Sequence, residues 1–253
     1  MTAFFWQLDS PIDAVVFDCD GTLSTIEGID ELARENGVGK EVTKLTAEAM
    51  GTLGMNPELY QKRLALVQPR LEQVHALGKE YFSHQVPDVH AVIQLFKRFN
   101  KSIYLVSAGL HPALKIFGRM LTIPQKNIFS VDIQFDEQGN YLDYEHTSPM
   151  VYSDGKRTIV NELKTRHARI AYIGDGLNDL PVYDLVTRFV GFGGAYFRQN
   201  IADVCKYYIL ALTMSPLAPL LLTANECEKL TANEQPLYAK GLSMIDEKKV
   251  LIK

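Results

Sequence analysis

Short, unbroken apolar runs recur along the chain, each closing on small or acidic residues. Ala14-Val15-Val16-Phe17 runs straight into Asp18-Cys19-Asp20-Gly21-Thr22. Ser102-Ile103-Tyr104-Leu105-Val106 closes on Ser107-Ala108-Gly109, and Arg169-Ile170-Ala171-Tyr172-Ile173 closes on Gly174-Asp175-Gly176. A strand covered by helices on both faces reads as a continuous apolar run, so these segments predict strands of a parallel sheet. Phe189-Val190-Gly191 and Tyr207-Tyr208-Ile209-Leu210 predict two more short strands. Helical spacing over about Val89–Phe99, His111–Met120 and Gly155–Arg166 falls between them. Residues 128–144 alternate around Asp136-Glu137-Gln138-Gly139-Asn140, which predicts a hairpin. Strands alternating with helices imply an α/β fold with a doubly wound, Rossmann-like parallel sheet.

One stretch breaks this rhythm. From Ile29 to Ser83 the apolar positions keep helical spacing: Ile29, Leu32 and Ala33, then Val42, Leu45 and Ala49, then Leu59, Leu64 and Val67, then Leu71, Val74 and Leu77. Pro57 and Pro69 stand where helices start. About 55 residues without a strand predict an inserted helical bundle spanning 26–86. The core is then built from 1–25 and 87–253, and the tail beyond about Ala224 is too weakly patterned to predict an element.

Composition narrows the function classes. Of 253 residues, 47% are apolar and 22% charged, which excludes disorder as the dominant state. A net charge of −4 argues against a broad cationic surface for nucleic acid. Cys19, Cys205 and Cys227 are sparse, odd in number and in no metal-ligand spacing, as expected in a reducing compartment. No apolar run approaches the roughly 18 residues that cross a bilayer. These features predict a cytoplasmic protein that takes neither nucleic acid nor a membrane as its partner; monomer and homodimer both stay open.

The ends of the strands carry the candidate chemistry. In open parallel sheets, ligands gather outside the carboxyl ends of the strands. If the three acidic or small-residue ends are neighbours, Asp18, Asp20, Ser107, Gly109 and Asp175 converge. Crowded carboxylates need a counter-charge, and Mg2+ suits oxygen ligands and a substrate phosphate. Ser107, with free N–H groups of Ala108 and Gly109 at a helix start, makes an anion cradle. Lys156 adds a mobile charge for phosphate. Gly191-Phe192-Gly193-Gly194 reads as a turn. The six histidines form no metal spacing, and Cys19 is expected to face the core.

This set resembles the haloacid dehalogenase superfamily of phosphohydrolases. Its four motifs are matched in order by Asp18-Cys19-Asp20-Gly21-Thr22, by Ser107, by Lys156 and by Gly174-Asp175-Gly176-Leu177-Asn178-Asp179. The resemblance implies that Asp18 is the nucleophile, forming an aspartyl-phosphate, and that Asp20 protonates the leaving alcohol and then activates water. It implies that Mg2+ is held by Asp18, the Asp20 backbone carbonyl and Asp175, with Asp179 supporting the metal's water shell. Ser107, Lys156 and nearby groups of Ala108, Gly109, Gly176 and Asn178 would bind the phosphoryl oxygens.

A narrower resemblance, over about residues 14 to 210, is to the phosphoserine phosphatases. It is carried by Glu27-Gly28-Ile29-Asp30-Glu31-Leu32-Ala33, Gly37-Val38-Gly39, Thr46-Ala47-Glu48-Ala49-Met50-Gly51 and Arg63-Leu64-Ala65-Leu66. It implies that the bundle is a cap closing over the substrate. Glu27 would meet the substrate amine and Arg63 its carboxylate, while Met50 and Gly51 would line the lid. Ile26, Asn56, Ala108, Leu177 and Pro181 depart from that family's usual residues. The chain is therefore expected to hydrolyse a phosphomonoester, O-phosphoserine first. The alternatives are a phosphatase or phosphotransferase for another small metabolite phosphate, and a catalytically silent phosphate-binding module.

Overall fold

The computed structural model describes residues 4–51 and 56–253, without the side chains of 48–51. The lid contacts expected of Met50 and Gly51 lie outside the described residues. The first strand, β1 (Ala14–Phe17), is buried along its whole length. Four helices follow: α1 (Gly28–Glu35), α2 (Gly39–Gly51), α3 (Pro57–Val67) and α4 (Leu71–Ser83). Then come α5 (Val89–Arg98), β2 (Ser102–Leu110), α6 (His111–Met120), β3 (Ile128–Val131), β4 (Ile133–Phe135) and β5 (Tyr141–Tyr144). The chain continues through α7 (Gly155–Lys164), β6 (Ile170–Gly174), β7 (Arg188–Phe192), α8 (Gln199–Val204) and β8 (Tyr207–Ile209). It ends with α9 (Leu217–Leu221), α10 (Ala224–Cys227), α11 (Gln235–Asp246) and β9 (Val250–Ile252).

Seven strands form one sheet in the order β3-β2-β1-β6-β7-β8-β9. Every pairing is parallel except β8 with β9. Chain order reverses between β2-β1 and β1-β6, so the topological switch lies beside β1. Phe17 is level with Leu105 of β2 and Ile173 of β6. The residues that follow these three strands therefore leave the sheet together.

The helical segment joins the core through two adjacent backbones. Val86 N donates to Leu23 O at 2.9 Å, and Thr25 N donates to His84 O at 2.9 Å. Local signals shape its helices as well. Asn56 caps α3 by accepting from Leu59 N, and Pro57 fills the first helical turn. Pro69, expected at a helix start, instead precedes Arg70, the N-cap of α4.

One expectation needs correction. Residues 128–144 are not one hairpin: β3 joins the main sheet beside β2, and only β4 and β5 pair antiparallel. Its first segment is four residues long and too short to show which sheet it completes. The tail is ordered into α10, α11 and β9. Glu226 of α10 receives the buried Lys101 ammonium at 2.6 Å, and β9 pairs with β8. Contacts with distant residues hold these elements, which explains their faint local pattern. Among the described residues, no helix is long and apolar enough to cross a membrane.

Candidate active site

Three acidic side chains meet at the switch point. Asp18 follows β1, while Asp175 and Asp179 follow β6; one carboxylate oxygen from each lies within 4.8 Å of the others, and all three residues are buried. Asp18 N donates to Ile173 O at 2.9 Å, which continues the β1–β6 ladder into the site. Gly21 takes a left-handed φ of +67°, and a Cβ there would sit 2.6 Å from Asp175 Oδ2. A Cβ on Gly174 would lie 2.3 Å from the carboxyl carbon of Asp179. Both glycines therefore leave the acids the space to converge.

Lys156, at the start of α7, sets a positive charge between two of these acids. Its Nζ lies 2.8 Å from Asp18 Oδ1 and 2.6 Å from Asp179 Oδ1. The expected mobile lysine is instead a buried and pinned one, because two carboxylates claim two of its three donors. One donor remains for a third oxygen. Asp179 is fully committed: Tyr172 OH donates to its Oδ1 at 2.6 Å, and Gly176 N to its Oδ2 at 2.9 Å. The Gly176 N–H expected to meet phosphate thus serves the loop itself. Asn178 is buried beside it in sequence, and its side-chain oxygen makes no hydrogen bond.

Burial dominates the titration of these groups. It pushes Asp18 well above the ordinary carboxylate range; Lys156 opposes this, and Asp179 and Asp175 add to it. Burial likewise pushes Asp175 up to about 6, with Arg198 opposing. It works against the Lys156 ammonium too, but the charges of Asp179 and Asp18 outweigh it and hold the lysine protonated. Lys156 and Arg198 face the three clustered carboxylates together with Asp20 and Glu27, which still leaves an excess of negative charge. The oxygen-only donor set, the unmet Asn178 oxygen and that excess all fit a hard divalent cation such as Mg2+.

Asp20 faces the helical segment. Its Oδ1 accepts from Tyr81 OH and Gly28 N, each at 2.7 Å, and its Oδ2 accepts from Ser107 Oγ at 3.2 Å. The expected anion cradle differs here. β2 runs on to Leu110 and α6 starts only at His111, so Ala108 and Gly109 are not at the helix start. Gly109 N donates to Ser107 Oγ at 3.0 Å, so it is not a free donor. Asp20, Glu27, Arg63, Tyr81, Ala108 and Gly109 line one cavity between the strand ends and α1, α3 and α4.

Glu27 and Arg63 therefore reach the same space as Asp20, from the N-cap of α1 and from α3. Burial, then the charges of Asp20 and Asp175, push Glu27 well above its ordinary range. Arg198 partly offsets them, with Nη2 4.0 Å from Glu27 Oε1 and Nη1 paired with Asp175 Oδ2. Arg198 and the tyrosines 60, 81, 172 and 196 escaped the sequence reading. The one available signal for Arg198 was its place in the loop after β7, at the same carboxyl edge of the sheet. Cys19 is fully buried, as expected.

Residues 12–182 match the model of the haloacid dehalogenase-like hydrolases. The chain is 34% identical over 199 residues to the phosphoserine phosphatase of Bos taurus, covering 78% of this chain and 88% of the relative. It is 35% identical over 199 residues to that of Homo sapiens, with the same shares covered. Among solved structures, a phospho-aspartyl intermediate analogue of phosphoserine phosphatase is similar in fold, with a TM-score of 0.70 and 21% identity over 82% of this chain and 98% of that one. A substrate-bound phosphoserine phosphatase complex gives a TM-score of 0.71 at 20% identity, over 83% of this chain and 98% of that one.

Proposed function

The chain belongs to the haloacid dehalogenase-like hydrolases, and from that membership we propose that it is a Mg2+-dependent phosphomonoesterase acting on O-phosphoserine. The observation that carries the chemistry is the buried cluster of Asp18, Asp175 and Asp179, with Lys156 bridging two of its members. Asp18, Asp175 and the Asp20 carbonyl would hold Mg2+, whose charge offsets the crowded carboxylates and draws in a phosphate dianion. Asp179, pinned by Lys156, Tyr172 and Gly176, stiffens the loop that carries Asp175.

Asp18 attacks phosphorus through a carboxylate oxygen. An oxygen–phosphorus bond forms, the ester bond breaks, and Asp20 delivers a proton to the departing serine oxygen. The deprotonated Asp20 then takes a proton from water as that water displaces Asp18 from phosphorus. Tyr81 and Gly28 aim Asp20 for both transfers, while the Ser107 hydroxyl, with one proton to give, turns from Asp20 to the phosphate once Asp20 is protonated. The third donor of Lys156 and the Ser107 hydroxyl hold phosphoryl oxygens as charge shifts between them. Ala108, Gly109 and Asn178 complete the wall around the phosphate.

The substrate reading rests on two features. Both curated relatives named above are phosphoserine phosphatases, and Glu27 and Arg63 line one cavity with Asp20. A zwitterionic amino-acid phosphate needs an acid for its ammonium and an arginine fork for its carboxylate. Residues 26–86 act as a cap hinged at the paired backbones of 23–25 and 84–86. All three cysteines are free and buried, which supports a cytoplasmic setting, and the active unit is a monomer or homodimer.

A phosphate-release assay over phosphorylated amino acids, sugars and an aryl phosphate, with and without Mg2+, tests this. O-phosphoserine is expected to give the highest kcat/KM, and only with Mg2+. Equal or faster release from a sugar phosphate would overturn the substrate assignment. No release from any ester would favour the silent binding module.

A further inference from the structure

The loop after β7 carries a tyrosine to which the reaction assigns no task. Tyr196 OH donates to Thr25 O at 2.9 Å. Thr25 in turn sits on one of the two backbones that join the helical segment to the core, with its N–H on His84 O. The Tyr196 ring lies against the turn after Asp20: its Cδ2 would be 3.1 Å from a Cβ on Gly21. Tyr196 thus ties together the β7 loop, the turn after β1 and the base of the helical segment.

Two residues further on, Arg198 stands between two carboxylates. Its guanidinium pairs with Asp175 Oδ2, also donates to Asp175 O at 3.3 Å, and reaches Glu27 Oε1 only at 4.0 Å. Its guanidinium carbon lies 5.6 Å from the centre of the Tyr196 ring, within the range of a cation–π contact. A guanidinium freed from this geometry can form a two-pronged pair with whichever carboxylate it meets. If it swung onto Glu27, it would occupy the acid that the substrate ammonium needs.

We propose that Tyr196 is a positioning residue: by fastening its loop to Thr25, it keeps Arg198 committed to Asp175 and off Glu27. Glu27 then stays open to the ammonium end of the substrate. The inference rests on the O-phosphoserine reading for the identity of that ammonium. It assigns Tyr196 to substrate recognition and leaves phosphoryl transfer to the residues already described.

The test is a double-mutant cycle of Tyr196→Phe and Arg198→Ala, read as KM and kcat on O-phosphoserine and on an aryl phosphate that has no ammonium. Tyr196→Phe keeps the ring and loses one hydrogen bond. Its KM for O-phosphoserine is expected to rise between about twofold and tenfold, the range for one net hydrogen bond. Its kcat should stay within about twofold, and its KM for the aryl phosphate should not change. In the Arg198→Ala background the effect of Tyr196→Phe should vanish. An unchanged KM, an equal rise for both esters, or additive effects in the double variant would each overturn the inference. Failure of the substrate reading would appear separately, as an absence of O-phosphoserine turnover in the wild-type enzyme.

Discussion

Replacing Lys156 with methionine removes one buried charge while keeping much of the side-chain volume. The lysine is 3% exposed, and its partners Asp18 and Asp179 are 7% and 0% exposed. Solvent cannot replace the lost ammonium. Breaking a buried ion pair by removing one partner costs about 3–5 kcal/mol, because the other charge stays buried. For a domain of this size, about 2–4 °C of Tm accompanies each kcal/mol, so the metal-free variant should melt roughly 6–20 °C below wild type. Without the lysine, the folded carboxylates bind protons more readily than the unfolded ones do, so folded stability falls as pH rises. The deficit should therefore be largest near pH ~8 and smaller near pH ~5. Saturating Mg2+ should restore part of it by supplying positive charge to the same acids. Differential scanning calorimetry at the two pH values, with and without Mg2+, reads all of this. A deficit under about 2 °C, or one that does not depend on pH, would refute the idea that Lys156 neutralises this cluster.

Other outcomes follow from the same geometry. Asp20→Asn should lower kcat on O-phosphoserine by about 10²–10⁴-fold; an aryl phosphate, whose leaving group needs no proton, should still release one equivalent of phenol in a fast burst before slow turnover, because hydrolysis of the intermediate needs Asp20 for either ester, and rapid-quench and steady-state kinetics on both esters check this. Arg63→Lys keeps a charge but loses the planar fork, so KM for O-phosphoserine should rise by about tenfold while kcat on an aryl phosphate holds. Glu27 is pushed well above the usual carboxylate range by burial, Asp20, Asp175 and Asp18, against Arg198. It therefore loses its charge at a higher pH than an ordinary glutamate as pH falls, and KM for O-phosphoserine should climb in mildly acidic buffer. A pH series of KM reads this, and an aryl phosphate should show no matching climb.

The sequence made the fold legible where burial is two-sided. The runs at Ala14–Phe17 and around Ile170–Ile173 are so apolar that only the centre of a covered sheet suits them, and both are central strands. The carboxyl-edge rule then located Asp18 and Asp175 without any long-range information. Lys156 was legible as a residue but not as an environment, because its immobility comes from Asp18 and Asp179, distant in the chain. Arg198 and Tyr196 were hidden for the same reason: each earns its place through one contact with a residue more than twenty positions away. The N–H groups of Ala108 and Gly109 were misjudged because β2 runs three residues past Ser107. The tail was unreadable because Lys101 and β8 organise it from outside.

The most direct test of the central claim is to acid-quench the enzyme during turnover of radiolabelled O-phosphoserine with Mg2+ and to locate the label by peptide mapping. A labelled aryl phosphate, whose leaving group needs no proton, is used in parallel with Asp20→Asn, where the intermediate still forms and its hydrolysis is slowed. One hydroxylamine-labile phosphoryl group is expected on the peptide carrying Asp18, and none when Asp18 is also changed to asparagine. Label on any other residue, or label that persists after Asp18→Asn, would contradict it.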